Sequence, residues 1–108
     1  MRATQGVVLY EPVASGEEIG WIWMYSYANK VDFVWFYELL KCESGFNEFA
    51  VGDLGKAFGI AQYHKGTFND FCEGEYKNPE DQIKCMAEML GKKLEYHWTN
   101  CVAKVANN

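Results

Sequence analysis

Histidine is scarce in this chain of 108 residues, with two in all, and no Cys-x-x-Cys pair occurs. A structural zinc site of cysteine and histidine ligands therefore fits poorly, and no metal is expected. Positive charge is also in short supply. Ten lysines and arginines face 15 acidic residues, for a net charge of −5. That balance argues against a nucleic-acid partner, which would need a basic stripe. Long apolar runs are missing too. The most apolar stretch, Ile19 to Tyr27, is too short to span a bilayer, so no stable membrane insertion is expected. The first fifteen residues lack the apolar run of a secretory signal. Export would rely on a leader removed before this numbering begins, or on another route. No phosphate-cradling loop is found, because GDLGKAFG has the wrong spacing, and no cofactor is implied. Ser15 and Ser44 have no paired histidine in a nucleophile motif. There is no internal repeat, linker or low-complexity tract, and the length suits one domain.

What is present is apolar, aromatic and cysteine-bearing. Apolar residues make up 49% and aromatics 17%, which excludes a disordered chain. Cys42, Cys72, Cys85 and Cys101 fit two disulfides formed in an oxidising compartment. Three connectivities are possible. The preferred one is Cys72–Cys85, closing a short loop, with Cys42–Cys101 tying the centre to the C-terminal segment. Four buried free thiols are the alternative.

Residues 1–16 read as an irregular lead-in, with Val7 to Tyr10 as a short strand or extended arm. Residues 17–108 read as a single, mostly α domain with a small loop or hairpin lobe. Glu17 and Glu18 suit a helix start, and the first helix is expected over 17–29. Asp32 can cap a second helix running to about Cys42, although VDFVWFY would also suit a strand. Four glycines, at 45, 52, 55 and 59, break up residues 43–64 and suggest a hairpin at GDLG. Thr67 is expected to cap a short helix through Cys72. The clearest helix starts at Asn78 as N-cap, with Pro79, Glu80 and Asp81 in its first turn. Its apolar stripe is Ile83, Met86, Ala87, Leu90 and Leu94, with Gly91 weakening the interior. The segment YHWTNCVAKVA suggests a last short helix.

Several residues could carry chemistry. Glu43 follows the aromatic-rich stretch FVWFYELLKC and opens the glycine-rich loop. A carboxyl desolvated there would stay protonated near neutral pH, as a general acid must. Asp53 lies in a loop that could fold back across a cleft from Glu43, and paired carboxylates are the equipment of glycoside hydrolysis. On position alone, the preferred readings are a solvated helix-end residue for Glu43 and a turn former for Asp53. Gln62 offers both donor and acceptor to a sugar amide or hydroxyl. His64 could act as base or ligand. Tyr63, Tyr96 and Trp98 are candidate sugar-stacking faces, with core packing as the alternative.

Residues 43–62, ESGFNEFAVGDLGKAFGIAQ, resemble the catalytic signature of lytic transglycosylases and goose-type lysozymes. The matching elements are Glu43-Ser44, Asn47, Ala50 and Gly59-Ile60-Ala61-Gln62. The preceding stretch resembles the family's lead into the glutamate, so the likeness spans about residues 18–70. It implies a lysozyme-like helical fold and cleavage of the β-1,4 bond from N-acetylmuramic acid to N-acetylglucosamine in peptidoglycan. Glu43 would be the acid, with Ser44, Gln62, Tyr63, His64, Tyr96 and Trp98 at the substrate cleft. In lytic transglycosylases the glutamate also serves as base, giving a 1,6-anhydro product. In goose-type lysozymes an aspartate helps position a water, and GDLG places Asp53 in that role. The sequence departs where goose-type enzymes carry a second aspartate, which is His64 here, and where a proline follows the asparagine, which is Glu48 here. Peptidoglycan strands would be the partner of a monomeric enzyme, extracellular or periplasmic, or belonging to a phage or secretion system. The alternative is an inactive module on the same fold that binds peptidoglycan or chitin oligosaccharides.

Overall fold

The computed structural model describes residues 11–106. Helix α1 (Gly16–Asn29) starts one residue before the expected boundary. Ser15 caps it through a reciprocal box: its hydroxyl accepts from the Glu18 amide, and Glu18 Oε1 accepts from the Ser15 amide. The buried side of α1 carries Glu18, Ile22 and Ser26. Asp32 caps α2 (Phe33–Ser44) by accepting from the Trp35 amide, so VDFVWFY is helical rather than a strand. Phe36, Leu39 and Leu40 recur at helical spacing and are fully buried, which is the packing that decides between the two conformations. Helix α2 runs beyond Cys42. Gly45 ends it in the left-handed region and donates its amide to Lys41 O. Glu43 and Ser44 therefore lie inside the last helical turn.

A small antiparallel sheet follows, built from β1 (Val51–Gly52), β2 (Ala57–Phe58) and β3 (Tyr63–His64). The expected hairpin at GDLG is β1–β2, closed by a 3₁₀ turn over Asp53–Gly55. The third strand has no separate sequence signal. It pairs His64 with Ala57 and Tyr63 with Phe58.

Helix α3 (Lys65–Phe71) leaves directly from β3. His64, not Thr67, stands at its N-cap, without a side-chain cap bond, and Thr67 falls inside the helix. Helix α4 (Pro79–Gly91) begins as the sequence predicts, with Asn78 accepting from the Asp81 amide. Gly91 is its last residue rather than an interior one, and Leu94 lies beyond it. A Cβ on Gly91 would sit 2.8 Å from the Asn29 carbonyl oxygen, so only glycine lets the ends of α1 and α4 meet. A 3₁₀ turn (Glu95–Trp98) then leads into α5 (Thr99–Ala106).

The described chain is thus mostly helical with one small sheet and two disulfides. The core lies between α1, α2 and α4 and includes Ile22, Phe36, Leu39, Ile60, Ile83 and Met86. Cys42–Cys101 joins α2 to α5, and Cys72–Cys85 joins the end of α3 to α4, which is the preferred pairing. None of the cysteines is a free thiol. Val7 to Tyr10 lie outside the described residues. Among the described residues no helix is long and apolar enough to cross a membrane.

Candidate active site

A cavity of about 380 Å³ opens between the end of α2, the sheet and the start of α5. Its walls include Glu43, Asp53, Gln62, His64, His97 and Trp98, with Thr99 and Asn100 from α5. That size falls in the ~300–1,000 Å³ range of small-molecule sites. Residues from four separate stretches meet here, and each is held by a local cause.

Glu43 is half-buried on the last turn of α2. Burial pushes its carboxyl up to about 7, partly opposed by the positive charge of Lys104 on α5. A carboxyl in that range is protonated over much of the neutral region and can hand a proton to a leaving group. The adjacent Cys42–Cys101 bridge ties the Glu43 turn to α5, the helix that supplies both Lys104 and the far wall.

Ser44 does not present its hydroxyl to the cavity. Its Oγ donates to Ile60 O at 2.7 Å and contacts Leu40 O at 3.3 Å, clamping α2 to the Gly59–Gln62 turn. The same turn is pinned elsewhere. The Ala61 amide donates to Gln82 Oε1 at 3.0 Å, and Ala61 O accepts from Trp98 Nε1 at 2.9 Å. Gln62 Nε2 donates to Ala50 O and Gly59 O, so its amide nitrogen is occupied within the loop. A Cβ on Gly52 would overlap Gln62 Oε1, and a Cβ on Gly59 would overlap the Gln82 side chain. These two glycines are close-approach positions, and Gly59 also has φ +91°.

Asp53 and Gln62 are non-glycine residues with φ of 50° and 53°, and Leu54 has φ 57°. Such conformations cost of order 1 kcal/mol or more each and cluster where side chains must be aimed. The register supplies the rest. Gly52, Ala57 and His64 lie side by side across the sheet, so the residue after Gly52 comes beside His64. Asp53 Oδ2 and His64 Nε2 are 2.7 Å apart. Both are about half exposed to solvent.

The aromatic candidates divide. Tyr63 is 2% exposed, with Phe68 and Trp98 packed edge-to-face against it. Its hydroxyl meets Met89 Sδ, and burial raises its pKa. It borders the smaller cavity beside the main one, but at that exposure its ring face is not open for sugar stacking. Trp98 is also buried, yet it borders both the main cavity and a neighbouring one of about 280 Å³. Tyr96 is exposed, stacks on His97 with centroids 4.4 Å apart, and lines the smaller cavity.

Two residues were not among the site candidates of the sequence. Gln82 is buried on α4 and bonds to Ala61 N, Phe58 O and Tyr76 O, which makes it the hub behind the site. Its signal was a polar side chain four residues before Met86, on the apolar stripe. His97 lines both cavities, and its buried Nε2 has no hydrogen-bond partner among the described residues. Nothing local distinguishes it from a surface histidine.

Comparison of the chain with protein-family descriptions, with curated proteins and with solved structures finds no match.

Proposed function

We propose that this protein is a peptidoglycan-cleaving muramidase with a lysozyme-like fold, and that Glu43 is its general acid. The supporting observation is the half-buried Glu43 carboxyl, held near a pKa of 7 on the wall of a cavity that also holds Asp53, Gln62 and His64. The resemblance of residues 43–62 to lytic transglycosylases and goose-type lysozymes names the substrate, the N-acetylmuramic acid to N-acetylglucosamine β-1,4 bond. Protonation of the bridging oxygen by Glu43 would accompany an oxocarbenium-like departure of the muramoyl C1. The cavity and its smaller neighbour share Gln62, His64, His97 and Trp98, and adjoining cavities suit an extended glycan ligand. Two disulfides suit an extracellular or periplasmic setting.

The test is release of soluble muropeptides from purified peptidoglycan by the oxidised protein. Wild type is expected to release them and Glu43→Gln to release none while keeping the native near-ultraviolet spectrum. Lysis by a folded Glu43→Gln protein would overturn the assignment. Sedimentation with the wall and no release by wild type would indicate an inactive binding module.

A further inference from the structure

We infer that His64, oriented by Asp53, is the general base that delivers water to the bond, so that cleavage is hydrolytic. The inference rests on the muramidase reading and adds the nucleophile to it.

Asp53 and His64 meet side chain to side chain. Asp53 Oδ2 sits 2.7 Å from His64 Nε2. With the imidazole neutral, a carboxylate there selects the tautomer that carries its proton on Nε2. The lone pair is then on Nδ1, the ring nitrogen left outside the Asp53 contact. His64 and Asp53 both line the Glu43 cavity. Their mutual placement is not a chance surface meeting. Asp53 is held in the left-handed region, and the Ala57↔His64 register puts the imidazole beside it. A simple Asp-driven turn needs no partner from a third strand.

Glu43 gives its proton to the glycosidic oxygen, which keeps the bonding electron pair as the C1–O bond breaks. A water oxygen bonds to C1, and its proton passes to His64 Nδ1. The site is left with a Glu43 carboxylate and a His64 imidazolium stabilised by Asp53. One proton returned from His64 to Glu43 through solvent restores the starting state. The products are a free reducing end and a free 4-hydroxyl. Asp53 acts through His64 and is a positioning residue.

The experiment uses the full, oxidised chain on purified peptidoglycan, with mass spectrometry separating reducing-end products from 1,6-anhydro products. Wild type is expected to yield reducing ends that take up label from ¹⁸O water. His64→Ala is expected to lose about 100-fold or more in kcat, the usual worth of a general base. Added imidazole should restore part of that loss, which a structural defect would not allow. Asp53→Asn should lower kcat with little change in KM, and should have no further effect in the His64→Ala background. Both side chains are about half exposed, and near-ultraviolet circular dichroism checks that each variant keeps the fold. Wild-type products that are all 1,6-anhydro would overturn the inference and leave the muramidase reading standing. So would wild-type hydrolysis by folded His64→Ala. No product of either kind from wild type would overturn both.

Discussion

Replacing Glu43 by glutamine is expected to remove activity and to stabilise the fold. The Glu43 carboxyl is pushed by burial from the ordinary glutamate range up to about 7. The folded state therefore holds this proton more tightly than the unfolded chain does. That advantage is complete below the unfolded value, near the ordinary glutamate pKa, and is lost as pH rises through about 7. At pH 8 the folded protein carries a partly buried carboxylate that the unfolded chain would hydrate freely. A fully sequestered group with this shift would cost about 3 kcal/mol. Water reaches part of the Glu43 carboxyl and Lys104 partly compensates it, so the expected cost is about 1–2 kcal/mol. Glutamine keeps the shape and removes the charge. Urea unfolding of the oxidised proteins at pH 5 and pH 8 measures the effect. The stability gain of Glu43→Gln should be about 0.5 kcal/mol or less at pH 5 and about 1–2 kcal/mol at pH 8. Glu48, whose carboxyl is also pushed up to about 7 by its hydrogen bond to Glu18 and by burial, adds a pH dependence of the same sign. It is common to both proteins and cancels in the difference. A variant that is less stable than wild type at pH 8, or that gains as much at pH 5, would refute the argument.

Activity should depend on pH in the same sense: muropeptide release at fixed ionic strength should fall as pH rises past about 7, because the acid form of Glu43 is lost. A rate that climbs from pH 7 to 9 would count against Glu43 as proton donor. Gln82→Leu should cost about 3 kcal/mol or more, since it leaves Ala61 N, Phe58 O and Tyr76 O without their buried partner. Denaturant titration reads this directly, and a loss under about 1 kcal/mol would mean that these groups find water instead. Removing Cys42–Cys101, which spans 59 residues, should cost about 4 kcal/mol by chain entropy, against about 3 kcal/mol for Cys72–Cys85, which spans 13. Paired alanine variants compared by urea unfolding test the order. Gly52→Ala should leave the helices intact but displace Gln62, which is checked by circular dichroism together with muropeptide release.

The start of α4 was legible because its causes are adjacent in the chain. An asparagine cap, a proline and two acids in the first turn need no tertiary partner to act. The same holds for the Asp32 cap, although packing of Phe36, Leu39 and Leu40 is what makes VDFVWFY helix rather than strand, and for the glycine-closed hairpin at GDLG. The tyrosine faces, the cap of α3 and the interior of α4 were read less well. Tyr63 has the composition of a sugar platform, but β3 turns it inward against Phe68 and Trp98. Thr67 loses its capping role because His64, ending that strand, already stands at the helix entrance. Gly91 reads as a weak interior residue until Asn29 is seen to press against it. Local propensity and spacing concern neighbours within a turn or two. The cavity depends on contacts between distant stretches: Ala61 with Gln82 and Trp98, Ser44 with Ile60, and Asp53 with His64. Those contacts follow from left-handed backbone at Asp53, Leu54 and Gln62, where no glycine marks the bend. Tertiary packing sustains that strain, so only the folded chain brings the acid, the imidazole and its carboxylate to one cavity.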